Sequence, residues 1–372
     1  MDIVISRSAL LKAATTASSV VPTKQVLTVL SSLLMRAEGD SLHITGSSLD
    51  HEVEVRKSVE VKSEGRVTAP AKKLVEVARQ LPDGPVSISS EQDRAVIRAG
   101  KARIALHAQP ASDFPESPDL EWSDPLEVPV DLFERIGKQV TFAVSRDSHR
   151  PTLSGVGLEI KDQKLFAVGT DGHRLSALTL DAPGMEDLES IIVPVDFLKA
   201  VSAISDGVDS VQVVSDGTRI GARTEGGTVV STLIAGTYPD WRRIARIPEE
   251  TDTLRLDREI AEQALKRMKV VSSDQTNRIT MTTGKPDSLT LRSTSQDLGS
   301  GEDVIPASFE GEGKAFGFNA SYFLDALSHM DCHEVELDLQ GSEQAIFLHP
   351  LNEDGERSGD HMLLLMPLRL VE

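Results

Sequence analysis

Three short runs hold residue types that could do chemistry. Thr170-Asp-Gly-His-Arg174 gathers a carboxylate, an imidazole and a guanidinium within five residues, and an acid beside a base is what proton transfer needs. No Gly-x-Ser-x-Gly elbow accompanies it, and the matching turns elsewhere carry different residues. The run reads instead as a turn presenting His173 and Arg174 to a partner. Gly311-Glu-Gly-Lys314 has the look of a phosphate loop, but Ser308 stands where its first glycine is needed and Ala315 where a magnesium-binding hydroxyl is needed. His329-Met-Asp-Cys-His333 holds zinc-type donors, yet no second ligand group is evident and the run ends a helix before a strand. No catalytic residue, no metal site and no cofactor is expected, and the chain does not read as an enzyme.

Composition sets the outer limits. The 372 residues suffice for two or three domains with cores of their own. A single cysteine, Cys332, excludes an intrachain disulfide and fits a reducing compartment. No apolar run approaches the roughly 20 residues of a membrane helix, and Met1-Asp2-Ile-Val lacks a signal-peptide profile. A cytoplasmic protein with no membrane partner is expected. The net charge of −19 argues against nucleic acid until its distribution is considered. Between Ile3 and Ala37 the only charged residues are Arg7, Lys12, Lys24 and Arg36, and the six helix-bearing segments total +7 against −26 for the rest. Mildly basic helices and strongly acidic sheets suggest that the helices share a surface.

The elements that must position these residues come in threes. Thr68-Ala-Pro70, Ile192-Val-Pro194 and Gly317-Phe-Asn319 each precede an apolar stripe of helical spacing, and Pro70, Pro194 and Asn319 are 124 and 125 residues apart. Proline suits a first helical turn and asparagine a cap. Leu42, Leu165 and Leu289 open short apolar strands 123 and 124 residues apart, and Phe114-Pro115, Tyr238-Pro239 and Met366-Pro367 close hairpins at steps of 124 and 128. A common step near one third of the length is an internal repeat.

Each repeat reads helix, strands, helix, strands. The first helix runs from a Ser6 cap to about Val20, and strands are expected at 26–36, 41–46 and 51–61. Alternating runs such as Ala95-Val-Ile-Arg98 point to antiparallel sheet with one apolar face. The fold class is α+β: three tandem copies of two helices packed on antiparallel sheets, at 1–126, 127–250 and 251–372.

Thr170-Asp-Gly-His-Arg-Leu175, Val193-Pro194, Tyr238-Pro-Asp-Trp-Arg-Arg243 and the terminal Met366-Pro-Leu-Arg-Leu370 together resemble the bacterial DNA polymerase III beta subunit family, the sliding clamps, and the resemblance spans the whole chain. It implies three DNA-clamp domains and a ring-forming head-to-tail homodimer with helices around a hole for double-stranded DNA. The implied partners are non-specifically encircled DNA, the DNA polymerase III alpha subunit, the clamp loader and other proteins with a clamp-binding motif. Alternatives from other classes are a three-domain scaffold without a DNA role and an enzyme with an unrecognised site.

The resemblance also assigns residues. Lys24 and Lys72 match DNA-contacting positions, and Arg7, Arg79 and Arg146 are basic additions; Asp147, Pro151 and Thr152 depart from the family nearby. Apolar Ile104 and Leu106, near Lys101 and Arg103 on an edge strand, read as half of a dimer interface, whose other half the resemblance places at Val271 and an acidic turn, Glu302-Asp303. Met362 to Leu368 are seven apolar residues almost at the chain end, where only alternate positions would serve a core strand. The resemblance joins Leu364, Leu365, Met366, Pro367, Leu368 and Arg369 to Arg150, Leu153, Thr170, His173, Arg174, Leu175, Pro239, Arg243 and Ile244 as a partner-peptide pocket. Asn277 and the terminal Val371-Glu372 are its departures.

Overall fold

A computed structural model describes residues 1–22, 27–117, 120–247, 250–273, 277–285 and 287–370. Lys24, Val371 and Glu372 therefore lie outside the described residues. The first repeat contains β1 (Asp2–Ser6), α1 (Arg7–Ser18), β2 (Ser32–Glu38), β3 (Ser41–Ser47), β4 (His51–Ser58), β5 (Glu60–Ser63), β6 (Gly65–Pro70) and α2 (Ala71–Gln80). It ends with β7 (Pro85–Glu91), β8 (Arg94–Ala99) and β9 (Ala102–His107). The second contains β10 (Leu126–Pro129), α3 (Val130–Gln139), β11 (Gly155–Lys161), β12 (Lys164–Thr170), β13 (Arg174–Asp181) and β14 (Leu188–Pro194), then α4 (Val195–Ile204), β15 (Ser210–Ser215), β16 (Arg219–Thr224) and β17 (Gly227–Thr232). The third contains β18 (Asp252–Asp257), α5 (Arg258–Lys269), β19 (Arg278–Lys285), β20 (Ser288–Ser295), β21 (Gly299–Pro306) and β22 (Ser308–Glu310). It continues with β23 (Ala315–Asn319), α6 (Ala320–Ser328), β24 (Glu334–Leu339), β25 (Ile346–Pro350) and β26 (His361–Leu365).

The helix starts follow from their caps. The Ser6 hydroxyl accepts from Ala9 N, the Asp257 carboxylate from Ile260 N, and the Asn319 side chain from Ser321 N and Tyr322 N, each satisfying donors that the first turn leaves orphaned. Pro70 and Pro194 sit one place earlier than expected, as the cap residue itself and the last residue of a strand. Proline's fixed φ serves extended backbone as well as helix, so strand runs directly into helix. The α5 last turn carries Lys266, Arg267 and Lys269 at the helix's negative end.

Internal contacts divide the chain into two units, Met1–Glu134 with Val193–Ala235, and Arg135–Ile192 with Gly236–Glu372. The middle repeat is thus shared between them. In the first unit an eight-stranded sheet runs β10-β15-β16-β17-β4-β3-β2-β6 and a five-stranded one β5-β1-β7-β8-β9. In the second a nine-stranded sheet runs β14-β11-β12-β13-β26-β25-β24-β18-β22 and a four-stranded one β21-β20-β19-β23. The seam of the first large sheet is β4 with β17, Val53 opposite Val229 and His51 opposite Ser231. The seam of the second is β13 with β26, Ser176 opposite Leu363 and Arg174 opposite Leu365. In the third repeat Phe316, Phe318 and Phe323 fill the core beneath α5 and α6, with Phe318 and Phe323 edge to face at 5.0 Å.

Several sequence expectations change. The strand expected at 26–36 begins only at Ser32 and runs to Glu38, because Thr28–Ser31 forms a single 3-10 turn. Leu42, Leu165 and Leu289 are each the second residue of a strand, all buried. Phe114 and Tyr238 are buried, whereas Met366 is 41% exposed. Glu302 and Asp303 are not in a turn but on β21, paired across the hairpin to Arg292 and Leu291. The basic bias of the helices persists, at +2 on each of α1, α2 and α5, zero on α3 and α4, and −1 on α6.

Candidate functional site

Asp171 organises the turn between β12 and β13. Its carboxylate accepts from His173 N at 2.8 Å and Arg174 N at 3.1 Å, the local bonding that lets aspartate shape a turn. Gly172 supplies the positive φ of 89° required there. The Thr170 hydroxyl donates to the Arg174 carbonyl at 2.6 Å and accepts from Gly172 N at 3.1 Å. Thr170 and Leu175 are consequently buried, and His173 is exposed at the tip.

The tail is stitched past this tip. Met366 N donates to the His173 carbonyl at 2.9 Å and Leu368 N to the Gly317 carbonyl at 2.6 Å. Leu364 and Leu365, expected in the pocket, are 1% and 4% exposed and belong to the core. Met366 is open, Pro367 and Leu368 are half-buried, and exposed Arg369 faces Glu343 at 3.6 Å. Arg150 Nη1 donates to the Asp171 carbonyl at 2.9 Å and its Nε to Asp147 at 3.1 Å. Leu153 is half-buried, its carbonyl taking Ser145 N at 2.8 Å. The buried Tyr238 hydroxyl donates to the Val168 carbonyl at 2.9 Å, tethering Pro239, Arg243 and Ile244 to β12, and burial raises its pKa. Those three are exposed, Ile244 by 54%. Beneath, His361 Nε2 meets Ser176 Oγ at 3.0 Å; burial pushes the imidazole down to about 4, so it is neutral near pH 7.

Arg174 is not presented outward as expected. Its side chain is 11% exposed, with Nε on Asp171 at 3.1 Å, Nη1 on Asp325 at 2.6 Å and Nη2 on the Phe142 carbonyl at 2.8 Å. Three acceptors in a fork-shaped arrangement outcompete water for a guanidinium. Tyr322, not anticipated from the sequence, stacks near His173 with ring centroids 6.2 Å apart. Only its place in the first turn after Asn319 could have pointed to it. Asn277 is bonded to that helix start, its carbonyl taking Ala320 N at 2.8 Å.

The basic candidates separate into two kinds. Lys72 and Arg79 are exposed on α2, seven residues apart and therefore on one face. Arg146 is exposed beyond the Thr141–Ala143 turn. Arg7 is different: its Nε and Nη2 donate to the Ala78 and Arg79 carbonyls at 3.0 and 2.7 Å, and Nη1 to Asp83 at 3.1 Å. It caps the C-terminal end of α2, where orphan carbonyls attract cations.

The interface candidates lie on outer strands. β9 ends the five-stranded sheet and β21 the four-stranded one. Ile104 and Leu106 are half-buried, and Lys101 and Arg103 are exposed, Arg103 meeting Glu91 at 2.9 Å. Val271 packs on β21 at Gly301. Asp303 pairs with Arg267 at 2.6 Å and Glu302 with Arg292. Val270 and Val304, overlooked in the sequence, are 76% and 53% exposed beside them.

The other chemistry-bearing runs make contacts within the fold. Lys314 Nζ holds Asp252 at 3.0 Å, and Gly313 lies where a Cβ would strike Gly284 at 2.7 Å. His329 stacks on Phe142 at 4.1 Å, and the Cys332 carbonyl takes Arg258 Nε at 2.7 Å. Among the described residues no three metal-type donors cluster, and no helix is long and apolar enough to cross a membrane.

Repeated two-helix units whose antiparallel sheets are shared across repeat seams place the chain in the class of DNA clamps. Three domain families match in tandem: DNA polymerase III beta subunit N-terminal domain over residues 1–118, central domain over 127–240 and C-terminal domain over 245–364. The beta sliding clamp of Pseudomonas putida is 31% identical over the full length of both chains, and that of Caulobacter vibrioides 30% identical over 90% of this chain and 92% of its own. Among solved structures, the Pseudomonas aeruginosa sliding clamp bound to griselimycin is 29% identical with a TM-score of 0.89, and the Thermotoga maritima beta subunit 25% identical with a TM-score of 0.90, each covering 100% of both chains. The chain belongs to the DNA polymerase III beta subunit family, the non-enzymatic sliding clamps of DNA replication.

Proposed function

We propose that two copies of this chain close head to tail into a ring around double-stranded DNA. The ring tethers the polymerase III alpha subunit, the clamp loader and other motif-bearing proteins through the surface around His173 and Met366. The observation that carries this reading is the twice-repeated seam. In β4·β17 and β13·β26 the same hairpin strand of one repeat pairs with a final strand of the next. The third hairpin strand, β21, and the first repeat's final strand, β9, end their sheets. Such edges invite pairing with another chain, and a heterologous contact that rotates correctly closes a ring.

Transferring the seam register suggests the partners. The two-residue turns after Ala99 and Thr224 align β9 with β17, and the Leu42, Leu165 and Leu289 hairpins align β4, β13 and β21. Ile104 then faces Gly301 of the second copy, Arg103 faces Glu302 and Ala102 faces Asp303. On the face that Ile104 would share with Gly301, Val271 and Met268 already lie against the glycine and offer Ile104 an apolar contact, and the charges oppose. Within the ring Lys72, Arg79 and Arg146, with Lys24, serve DNA, making phosphate contacts that carry no base information. Domain limits of 1–126, 127–250 and 251–372 and a cytoplasmic location complete the proposal.

Sedimentation of charge variants tests the register. Arg103→Glu alone sets like charges opposite each other and should weaken the dimer about tenfold, while adding Glu302→Arg should restore it. An unchanged dimer, or no recovery in the double variant, would overturn the assignment.

A further inference from the structure

We infer that Arg174 is a positioning residue of the partner-peptide surface rather than a contact, and that it sets how often that surface is competent to bind. The inference rests on the peptide-pocket reading above. Three of the five Arg174 N–H groups are taken within the protein and its side chain is only 11% exposed, which leaves little of the guanidinium for a ligand. Nε is on Asp171 Oδ2 at 3.1 Å, Nη1 on Asp325 Oδ2 and Nη2 on the Phe142 carbonyl. The Tyr322 ring lies 4.7 Å from the guanidinium carbon and the Phe142 ring 5.3 Å, within the range of cation–π attraction.

Each of those partners shapes the surface. Asp171 holds His173 N, and its carbonyl holds Arg150. Tyr322 stacks beside the exposed His173 ring at an interplanar angle of 17°. The His173 carbonyl holds Met366 N, and Leu365 lies opposite Arg174 in the strand register. One largely enclosed cation therefore fixes the turn, the helix α6 wall and the tail relative to one another. Removing it leaves Asp171 and Asp325 without their shared cation, and the turn then samples arrangements in which His173, Tyr322 and Met366 no longer face the ligand together. A fall in the competent fraction lowers apparent affinity by that fraction. It appears in the association rate, whereas loss of a direct contact appears mainly in dissociation.

The test uses the full chain and a labelled peptide ending Gln-Ala-Ala-Leu-Phe in stopped-flow binding. Arg174→Ala should slow association about tenfold or more with little change in dissociation. Arg174→Lys should not rescue it, because an ammonium lacks the three-way fork. Asp325→Asn, which keeps Arg174, should slow association to a smaller degree and covers the case in which Arg174→Ala fails to fold. Faster dissociation with unchanged association, rescue by lysine, or no effect in Asp325→Asn would overturn the positioning role. A chain lacking Met366 to Glu372 separates the two readings: if it binds the peptide as well as the intact chain, the pocket reading itself fails, whatever Arg174 does.

Discussion

Lys72 and Arg7 carry the same charge and do different work, because one ends in solvent and the other on the carbonyls of α2. The sequence shows only that both are cations in basic stretches. The side-chain destination depends on a helix end some seventy residues away, which spacing does not reveal. Arg174 turns inward for a reason equally invisible in the sequence: its acceptors come from Asp171, Phe142 and Asp325. Leu175 and Thr170, which the resemblance places in the pocket, are buried. The difference between the cations is measurable. Lys72→Ala with Arg79→Ala should lower DNA affinity and reduce the slope of log K against log salt by up to about 2, since each neutralised phosphate contributes roughly 0.9. Arg7→Ala should leave that slope alone and lower the melting temperature. An unaltered slope in the double variant would remove α2 from the DNA surface.

At the scale of elements, two glycines recur at the repeat step. Gly46 on β3 and Gly169 on β12 are 123 residues apart, and so are Ala17 and Val140. A side chain at Gly46 would run into the Ala17 carbonyl, and one at Gly169 would come within 2.6 Å of the Val140 carbonyl. Each glycine lets a helix end approach its sheet closely. Neither Gly46→Ala nor Gly169→Ala leaves room to relax, so each should destabilise its unit by about 3 kcal/mol, the upper range for overpacking. Gly137→Ala, on α3 with open space around it, should instead stabilise by about 0.5–1 kcal/mol through helix propensity. Denaturant midpoints read all three, and a harmless Gly46→Ala would contradict the close approach. The repeat itself was legible because Pro70, Pro194 and Asn319 sit at three equivalent strand-to-helix junctions. The start of β2 was not, since Val29 and Leu30 are buried on a 3-10 turn and so look like strand residues.

For the whole molecule, the repeat predicts three domains and three family domains match in tandem, while internal contacts group the same chain into two units that share the middle repeat. Sheets continue across repeat seams, and a sequence repeat cannot show which strand of one copy pairs with which strand of the next. The seam supplies that missing information and, carried one step further, leads to the proposed ring. Charge separation between helices and sheets is the other whole-chain property readable from the sequence, and it agrees with an acidic protein that nonetheless holds DNA. The most direct measurement is retention on DNA of defined topology. Protein loaded by a clamp loader onto closed circular DNA, then passed through gel filtration at high salt, should remain with the circle and be released when a restriction enzyme cuts it once. Release from the intact circle, or equal retention on the linear product, would show that the protein binds DNA without encircling it.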